Sequence, residues 1–295
     1  MLVQLSIRPC FHYTIPMNQH IRDLAKILAS NPPRVVFPEG NNHIIQQAAR
    51  ALEESGAVQP VLLDGEEDAI SRGATMLTSG EADVMVAGID HPTKDVLRAG
   101  LKIVGLAPDV RYASSFFVID VPQFQGGEQG LLLFADCGMN IQPNAEQLAA
   151  IAMSSADSAA SLGWQPRVAM LSYSTKGSAG GDSVELVTQA LQLVKTGRPD
   201  ILIDGELQLD AAIVPAIGQK KSPSSPVAGR ANVLIFPDLD SGNIAYKLAE
   251  HLASGHAYGP ILQGFARPIS DLSRGSSVDD VIGATLITAG MARTS

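Results

Sequence analysis

Short apolar runs alternate with amphipathic stretches along most of this chain, and the alternation predicts strands and helices in turn. The apolar runs predict strands at 34–37, 61–63, 84–87, 115–119, 131–134, 168–171, 201–203 and 233–236. The amphipathic stretches predict helices at 42–56, 66–79, 94–104, 145–162, 182–196, 210–218, 242–254 and 278–291. Strands that alternate with helices indicate an α/β protein with a largely parallel sheet.

A change of domain is indicated near Pro108. The regular alternation of strand and helix breaks there. The next two strands, 115–119 and 131–134, are separated by a turn around Gly126 and Gly127, as in a hairpin. Because 295 residues are enough for two domains, the pattern predicts a second α/β domain after this point.

Composition narrows the classes of ligand. Hydrophobic residues at 45% and charged residues at 17% are typical of a soluble globular protein. The formal net charge of −9 disfavours nucleic-acid binding, which needs basic surfaces to neutralise phosphates. A small anionic ligand is still compatible with this charge, because a few local cations and a helix N-terminus can hold it.

The chain shows no sign of a membrane or secretory destination. No apolar run reaches the roughly 18–20 residues needed to cross a bilayer. Residues 1–20 lack the apolar core and cleavage site of a signal peptide. Two cysteines, Cys10 and Cys137, are too few for a disulfide framework. We therefore expect a cytoplasmic protein without membrane or nucleic-acid partners.

Signatures of several common enzyme classes are absent from the sequence. It has no Gly-x-Gly-x-x-Gly after a strand, no Gly-x4-Gly-Lys-Ser/Thr and no Gly-x-Ser-x-Gly. This argues against a dinucleotide-binding fold, a P-loop nucleoside triphosphatase and a serine hydrolase. The six histidines lack His-x3-His spacing, so we expect no metal centre. Ligands of open α/β sheets bind outside the carboxyl ends of the strands, so the polar turns there are the candidate sites.

One such turn follows the strand at 168–171 and reads SYSTKGSA. It places hydroxyls, an ammonium group and a glycine at the start of a predicted helix. Such a turn can hold a phosphate or an oxyanion. The candidate substrate-binding residues are Ser174, Thr175, Lys176, Gly177 and Ser178. An ordinary β–α turn with a capping serine explains the same residues equally well.

A second polar turn is predicted after the strand at 201–203, where the sequence reads Asp204-Gly205-Glu206. Two acids at the end of a strand can orient a ligand or pair with a lysine. A turn exposed to solvent accounts for them nearly as well.

Residues 271–281 (DLSRGSSVDDV) lead into the last predicted helix. Ser277 is a natural N-cap and Asp280 stands three residues later, which predicts a capping box. Arg274, beside the conformationally free Gly275 and just before the helix, concentrates positive potential where an anion can dock. Capping alone explains Asp280, whereas Ser273 and Arg274 are candidates for binding or catalysis.

Four longer stretches together resemble the phosphate acetyltransferase (phosphotransacetylase) family, which also contains phosphate butyryltransferases. They are 168–179 (VAMLSYSTKGSA), 203–215 (IDGELQLDAAIVP), 225–247 (SPVAGRANVLIFPDLDSGNIAYK) and 259–282 (GPILQGFARPISDLSRGSSVDDVI). Weaker similarity runs through 34–63, 83–104 and 134–139. Several ordered motifs of this length are far more specific than any single turn.

The resemblance implies an enzyme of acetate metabolism that interconverts acetyl-CoA and phosphate with acetyl phosphate and CoA. It implies no metal and no cofactor beyond CoA as a substrate. The implied fold is a two-domain, three-layer αβα structure, like isocitrate and isopropylmalate dehydrogenases, with the active site in the interdomain cleft. Family members are usually homodimers. We therefore expect one domain from residues 1–107 and 263–295, and another from residues 108–262.

The resemblance also implies roles for individual residues. Asp280 matches the carboxylate proposed to remove the proton of the CoA thiol. Ser273 and Arg274 match a pair that contacts substrate and stabilises negative charge at the acyl carbonyl. Arg98 matches an arginine implicated in substrate binding. Near it, Pro92 replaces the serine of the more common His-Ser-Thr.

One departure from the family is larger. Relatives carry a few dozen further residues between the positions of Leu63 and Glu81, including an arginine that contributes to substrate binding, whereas this chain passes almost directly from strand to helix. A non-catalytic acyl-CoA-binding module, as proposed for phosphotransacetylase-like regions of some malic enzymes, is therefore a second hypothesis. A phosphate butyryltransferase is a third, because the acyl pocket decides between them.

Overall fold

The structure is a computed structural model that describes residues 17–64 and 67–292. Its strands are β1 Arg34–Phe37, β2 Gln59–Leu62, β3 Val84–Ala87, β4 Ser114–Asp120, β5 Leu131–Ala135, β6 Val168–Leu171, β7 Ile203–Leu207, β8 Val233–Ile235, β9 His256–Gln263 and β10 Ile269–Asp271. Its helices are α1 Gln19–Leu28, α2 His43–Glu54, α3 Ala69–Ser79, α4 Thr93–Ala99, α5 Ala145–Ser161, α6 Asp182–Gly197, α7 Leu209–Ile213, α8 Pro215–Lys221, α9 Leu239–Leu252 and α10 Val278–Met291. A π-helical turn, Gly100–Val104, continues α4. Cys10 lies outside the described residues.

Seven of the eight predicted strands overlap an observed one over most of their length, whereas the strand predicted at 201–203 shares only Ile203 with β7. The pattern does not predict β9 or β10. Gly259 and Pro260 interrupt the apolar pattern of β9, and β10 has only three residues. The predicted turn at Asp204-Gly205-Glu206 is wrong, because all three residues belong to β7 and are buried. Buried acids of this kind need partners from elsewhere in the chain, which local sequence does not show.

The predicted helices are also present, with one difference. The predicted helix at 210–218 is two short helices, α7 and α8, because Pro215 has no N–H to continue the hydrogen bonding of α7. Among the helices of the described residues, none is long and apolar enough to span a bilayer.

The ten strands of the described residues form one mixed sheet in the order β2-β1-β3-β10-β9-β4-β5-β8-β6-β7. At one end, β2, β1, β3 and β10 run parallel to each other. At the other end, β5, β8, β6 and β7 are also mutually parallel. Three consecutive antiparallel pairs, β10–β9, β9–β4 and β4–β5, separate the two groups. The pairing of β4 with β5 confirms the predicted hairpin.

Three reversals of direction mean that the two parallel groups run opposite ways. The carboxyl ends of β1, β3 and β10 therefore meet at one edge of the sheet, which we call the β10 edge. The carboxyl ends of β8, β6 and β7 meet at the opposite edge, which we call the β6 edge. The loops that follow β6 and β10 therefore belong to two differently directed groups of strands, separated in the sheet by β9, β4, β5 and β8.

The two predicted domains contribute different parts of the sheet. The segments 1–107 and 263–295 supply β1, β2, β3 and β10, whereas residues 108–262 supply β4 to β8 and nearly all of β9. Because β9 pairs with β10 on one side and with β4 on the other, the sheet passes without interruption between the two parts. The division into two domains stays a prediction.

Helix α10 lies deep in the protein, with every residue from Val281 to Gly290 buried. It packs against α1, α2 and β9. Tyr258 of β9 packs so closely on Gly283 that a methyl group there would overlap the ring. Burial of each large apolar side chain contributes roughly 1.5–3 kcal/mol, so α10 is firmly anchored. Its N-terminus is thereby held in a fixed position at the β10 edge.

Candidate active site

Three helices begin at the β10 edge, each directly after a parallel strand. β1 leads through residues 38–42 into α2, β3 through residues 88–92 into α4, and β10 through residues 272–277 into α10. Helix N-termini carry partial positive charge and unpaired N–H groups, so this edge favours anion binding. It is also the place where the carboxyl-end rule for α/β sheets puts a ligand.

Glu39 holds the β3–α4 turn in place. Its side chain is buried, and Oε2 accepts hydrogen bonds from the backbone N–H groups of Gly88 and Ile89 at 2.9 and 3.0 Å. Oε1 accepts from the backbone N–H groups of Asp90 and His91 at 2.9 and 2.8 Å, and contacts Nδ1 of His91 at 2.8 Å. These partners offset the lost hydration of a buried carboxylate. Glu39 thereby fixes both the turn and the imidazole ring of His91.

Asp271, the last residue of β10, lies on the other side of β3 from Glu39. It is 1% exposed, and neither carboxylate oxygen has a hydrogen-bond partner among the described residues. Burial raises the pKa of Asp271 to about 7, which the nearby Thr93 hydroxyl opposes and the negative charge of Glu39 reinforces. A methyl group on Gly88 would overlap Oδ1 of Asp271. The β3–α4 turn therefore packs directly on the start of the β10–α10 loop.

The next residues, Ser273, Arg274 and Gly275, are exposed at the same edge. Their backbone forms a tight turn in which the N–H of Ser276 donates to the Ser273 carbonyl at 3.0 Å. The guanidinium of Arg274 makes no ion pair with the part of the chain that the structure describes. It is therefore available to bind an anion from solution.

Helix α10 begins at Val278, as predicted, with Ser277 as its N-cap. Ser277 Oγ accepts from the N–H of Asp280 at 3.2 Å. Oδ2 of Asp280 in turn accepts from the Ser277 N–H at 2.8 Å and from its hydroxyl at 2.7 Å. The predicted capping box is thereby confirmed. Both bonds use Oδ2, so Oδ1 accepts no hydrogen bond from the described residues.

Arg98 lies at the same edge, on α4. It is exposed and donates Nη1–H to Asp95, three residues earlier, at 3.0 Å. Together with His91 and Lys102 it lines a cavity of about 360 Å³ between α3 and α4. Asp68, at the end of the short connection between β2 and α3, borders the same cavity. The structure thus places Arg98 beside the β3–α4 turn rather than in contact with the β10–α10 loop.

The β6–α6 loop, which contains the predicted phosphate-binding residues, is occupied by the protein's own side chains. Oε1 of Glu206, a buried residue of β7, accepts from the Ser174 hydroxyl at 3.0 Å and from the Gly177 N–H at 2.7 Å. The N–H of Thr175 donates to the hydroxyl of Ser178 at 2.9 Å. A carboxylate of β7 therefore occupies the position in which this loop would hold an external anion.

The cation of this loop is also paired. Nζ of Lys176 donates to Oδ1 of Asp204 at 2.6 Å and to the Gly205 carbonyl at 2.5 Å. Burial acts to raise the pKa of Asp204, but Lys176, the Ser225 hydroxyl and the Gly205 N–H together outweigh it, and the pKa is lowered. Because the loop follows β6, it lies at the β6 edge. The substrate-binding role of residues 174–178 stays a prediction, which these contacts do not support.

Cavity size does not identify the site. Two cavities of about 500 and 580 Å³ flank α5 and share Val110, Ser154 and Asp157, but neither is lined by the β10–α10 loop. Nor do three or more His, Cys, Asp and Glu side chains anywhere in the described residues form a group that could hold a metal ion. The β10 edge is distinguished by Arg274, a cation without a partner in residues 17–64 and 67–292, and by its oriented carboxylates.

The sequence analysis missed Glu39, His91 and Asp271 as parts of this site. All three lie at the end of a strand or in the turn that follows one, and this position was the only sign in the sequence that they could belong to a site. What local sequence did not show is the long-range bonding, since the Glu39 carboxylate bonds to residues 49 to 52 positions later in the chain.

Comparison with known proteins gives the family. The family model described as phosphate acetyl/butaryl transferase matches residues 64–289. A phosphate acetyltransferase of Thermoanaerobacterium thermosaccharolyticum is 52% identical over 228 residues, which cover 77% of this chain and 70% of the relative. A phosphate acetyltransferase of Treponema pallidum is 49% identical over 263 residues, which cover 86% of this chain and 78% of the relative.

The fold is likewise shared with a solved structure. A phosphotransacetylase from Streptococcus pyogenes superimposes with a TM-score of 0.86 at 33% identity, covering 95% of this chain and all of the other. The mixed α/β fold with one large sheet is thus that of a phosphotransacetylase structure. The family model spans most of the chain, and the resemblance seen in the motifs is confirmed. This chain therefore belongs to the phosphate acetyl/butaryl transferase family.

Proposed function

We propose that this protein is a phosphate acetyltransferase, which transfers an acetyl group between CoA and inorganic phosphate. The observation that carries the proposal is an exposed Arg274, without an ion pair among the described residues, in the loop that leads to the oriented Asp280 at the start of α10. The activity named for the relatives supports the same reaction. CoA, acetyl phosphate and phosphate are then the substrates, and CoA is not a bound cofactor.

Asp280 is the base in this proposal. A free thiol has a pKa of about 8.5, so only a few per cent is thiolate at neutral pH, and a positioned base raises that fraction. Oδ1 of Asp280 accepts the thiol hydrogen, while Oδ2 stays bonded to Ser277 and keeps the carboxylate oriented. The thiolate sulfur then attacks the carbonyl carbon of acetyl phosphate. Collapse of the adduct breaks the bond between that carbon and the phosphate oxygen.

The attack places negative charge on the carbonyl oxygen, and Arg274 and the Ser273 hydroxyl are the proposed donors to it. Both side chains are exposed at the β10 edge, next to the positive end of α10. Donors that are already in place before the reaction cost no reorganisation, and removal of one typically lowers kcat by about 100-fold to 1,000-fold. The donors and the base are thus expected to make contributions of similar size.

A division into two domains is also proposed. We infer two three-layer αβα domains of the isocitrate and isopropylmalate dehydrogenase type, with the cleft opening at the β10 edge. The two oppositely directed groups of parallel strands support this division. Limited proteolysis that cuts near residues 108 and 262 and leaves 108–262 as a stable fragment would agree with it, whereas uniform degradation would contradict it.

A homodimer is proposed as well. On α9, Ile244, Leu248 and Leu252 are 58%, 50% and 79% exposed, and their spacing places them on one stripe of the helix. A second copy would remove this apolar stripe from water. Light scattering at assay concentration tests this directly, and a monomeric mass would refute it. The cytoplasmic location stays a prediction.

The test of the activity is acetyl-CoA formation from acetyl phosphate and CoA, followed by thioester absorbance. Asp280→Asn and Arg274→Ala are expected to lower kcat/KM by about 100-fold or more. Asp280→Asn keeps an oxygen that can accept from Ser277, so the helix start is preserved and lost capping does not explain the effect. Asp279→Asn, one position earlier on α10, is the matched control and is expected to stay within about threefold of the original protein.

The same assay separates the alternatives. Protein that binds CoA in calorimetry but forms no acetyl-CoA is a binding module, not an enzyme. The connection from Leu62 to Ala69, which is short for the family, is the observation that favours this alternative. Faster turnover of butyryl phosphate than of acetyl phosphate would instead indicate a phosphate butyryltransferase.

A further inference from the structure

Glu39 and His91 form a carboxylate–imidazole pair in which the proton positions are fixed. Both oxygens of Glu39 already accept hydrogen bonds from backbone N–H groups, so this carboxylate is the acceptor in the 2.8 Å contact with His91 as well. Nδ1 of His91 therefore carries the hydrogen. This arrangement sets the tautomer and the orientation of the ring, as a buried carboxylate does for histidines in many active sites.

The other ring nitrogen, Nε2, is left for exchange with a ligand. The side chain of Glu39 is 1% exposed, whereas that of His91 is 30% exposed, so the pair has a buried end and an open end. His91 lines the cavity of about 360 Å³ that also contains Arg98 and Lys102. Three acids, Glu67, Asp68 and Asp95, line the cavity as well, and Asp95 pairs with Arg98. Lys102 and the backbone at the start of α4 are therefore the positive groups that a phosphoryl group beside His91 would meet.

The pair lies next to the proposed acyl-transfer site. The β3–α4 turn that carries His91 packs on Asp271 through Gly88, and the Thr93 hydroxyl is close enough to Asp271 to oppose the rise in pKa that burial causes. Asp271 is two residues before Ser273. Because β3 and β10 are parallel neighbours, the turn that carries His91 and the loop that carries Ser273 follow the same end of these two strands.

The proposed reaction needs a second proton transfer that Asp280 does not perform. When the thiolate displaces phosphate from the acetyl phosphate dianion, the leaving group departs as a phosphate trianion unless it receives a proton. A trianion is a strong base and a poor leaving group in water. A general acid beside the phosphoryl group removes this barrier, typically by about 100-fold or more.

We propose that His91, oriented by Glu39, is this general acid, an inference that rests on the function proposed above. The imidazolium form donates its Nε2 hydrogen to the bridging oxygen as the bond from the carbonyl carbon to that oxygen breaks, and the product is hydrogen phosphate. In the reverse direction, Nε2 accepts the proton of hydrogen phosphate as its oxygen attacks acetyl-CoA. Asp280 takes one proton from the thiol and His91 gives one to phosphate, so each turnover is balanced after exchange with solvent.

The test compares two acyl donors that differ in whether the leaving group needs a proton. Acetyl phosphate releases phosphate, whereas acetyl methyl phosphate releases methyl phosphate, whose second pKa of about 6 makes the dianion a stable leaving group. His91→Ala is expected to lower kcat/KM by about 100-fold with acetyl phosphate and by no more than about threefold with acetyl methyl phosphate. Equal losses with both donors would show that His91 serves only the structure, and would overturn the proposal.

Added imidazole supplies an independent readout. Turnover of acetyl phosphate by His91→Ala is expected to rise with imidazole concentration, because the small acid can enter the space that the side chain vacates. His251→Ala, which removes an exposed histidine of α9, is the matched control and should show neither the loss nor the rescue. If acetyl methyl phosphate is not a substrate of the original protein, the imidazole response alone decides.

The outcomes separate this proposal from the one on which it rests. Suppose that the original protein converts acetyl phosphate, but His91→Ala has an equal rate or does not respond to imidazole. This result refutes the role of His91 as a general acid and leaves the proposed acetyltransferase activity intact. An original protein without turnover refutes both. Thermal unfolding of His91→Ala is measured in parallel, because a folded variant is required for the rates to be compared.

Discussion

The β6–α6 loop and the β10–α10 loop are similar in sequence and opposite in structure. One reads Ser-Thr-Lys-Gly-Ser and the other Ser-Arg-Gly-Ser-Ser, and each follows a buried strand and leads into a helix. In the first, Asp204 pairs with the cation and Glu206 occupies the hydrogen-bond donors. In the second, Arg274 is exposed and unpaired among the described residues. The composition of a turn thus indicates what it is able to bind, and its neighbours decide whether that capacity is left free.

The difference arises from the strand beside each loop. β7, the neighbour of β6, contains Asp204 and Glu206, and both side chains bond to the β6–α6 loop. β3, the neighbour of β10, is followed by a glycine that packs on Asp271, and Asp271 gives no hydrogen bond to the loop. One buried carboxylate is therefore satisfied by its loop and the other is not. This contrast gives three predictions.

The largest expected effect concerns the pH dependence of stability at Asp271. Its pKa is about 7 in the folded protein and roughly 3.9 in the unfolded chain, so the folded state keeps a proton that the unfolded state loses between those values. The favourable contribution to folding is complete below about pH 4 and is lost as the pH rises to about 7, at about 1.4 kcal/mol per pH unit. Asp271→Asn lacks this loss, so we expect it to be more stable than the original protein by up to about 4 kcal/mol at pH 8, but not at pH 4.

Urea denaturation across this pH range measures the effect. Asp240→Asn, at an exposed position in the first turn of α9, is the control and should track the original protein at every pH. A stability difference between Asp271→Asn and the original protein that stays constant with pH would show that Asp271 is not held in its neutral form.

The second effect tests the occupied loop. Glu206→Ala leaves the Ser174 hydroxyl and the Gly177 N–H without their carboxylate partner. Because each buried polar group without a partner costs about 1–3 kcal/mol, we expect a loss of about 3 kcal/mol in the free energy of unfolding. Glu185→Ala, an exposed position on α6, should cost less than about 0.5 kcal/mol. If Glu206→Ala has unchanged stability and binds phosphate, the β6–α6 loop is instead an accessible anion-binding site.

The smallest effect compares the two cations in the activity assay. Lys176→Ala breaks a partly exposed ion pair, so we expect about 1 kcal/mol of lost stability and a change in kcat/KM of no more than about threefold. Arg274→Ala should show the reverse, with little change in stability and a large loss of turnover. If Lys176→Ala instead lowers kcat/KM as much as Arg274→Ala does, the β6 edge takes part in the reaction.

Local sequence predicts those parts of the site in which the bonded residues are close together in the chain. The start of α10 is such a case, because Ser277 and Asp280 make the capping box with each other. Local sequence fails where partners are distant. Gly205 and two flanking acids have low strand propensity, and they form part of β7 only because residues such as Ser174 and Lys176 satisfy them.

The direction of the strands could not be predicted from the apolar pattern either. It depends on β9, a strand that the pattern does not predict because Gly259 and Pro260 break it. The change of direction between the two parallel groups passes through the antiparallel pairs that this strand makes with β10 and β4.

The continuity of the sheet across β9 has a mechanical consequence. Hydrogen-bond ladders on both flanks of this strand couple the two ends of the molecule, so neither end can swivel freely about the connecting peptides. If the site at the β10 edge closes around a substrate, the movement therefore has to be shared among neighbouring strands as small changes of twist. Binding and release of CoA would then involve distributed bending of the sheet more than rotation of one domain about a hinge.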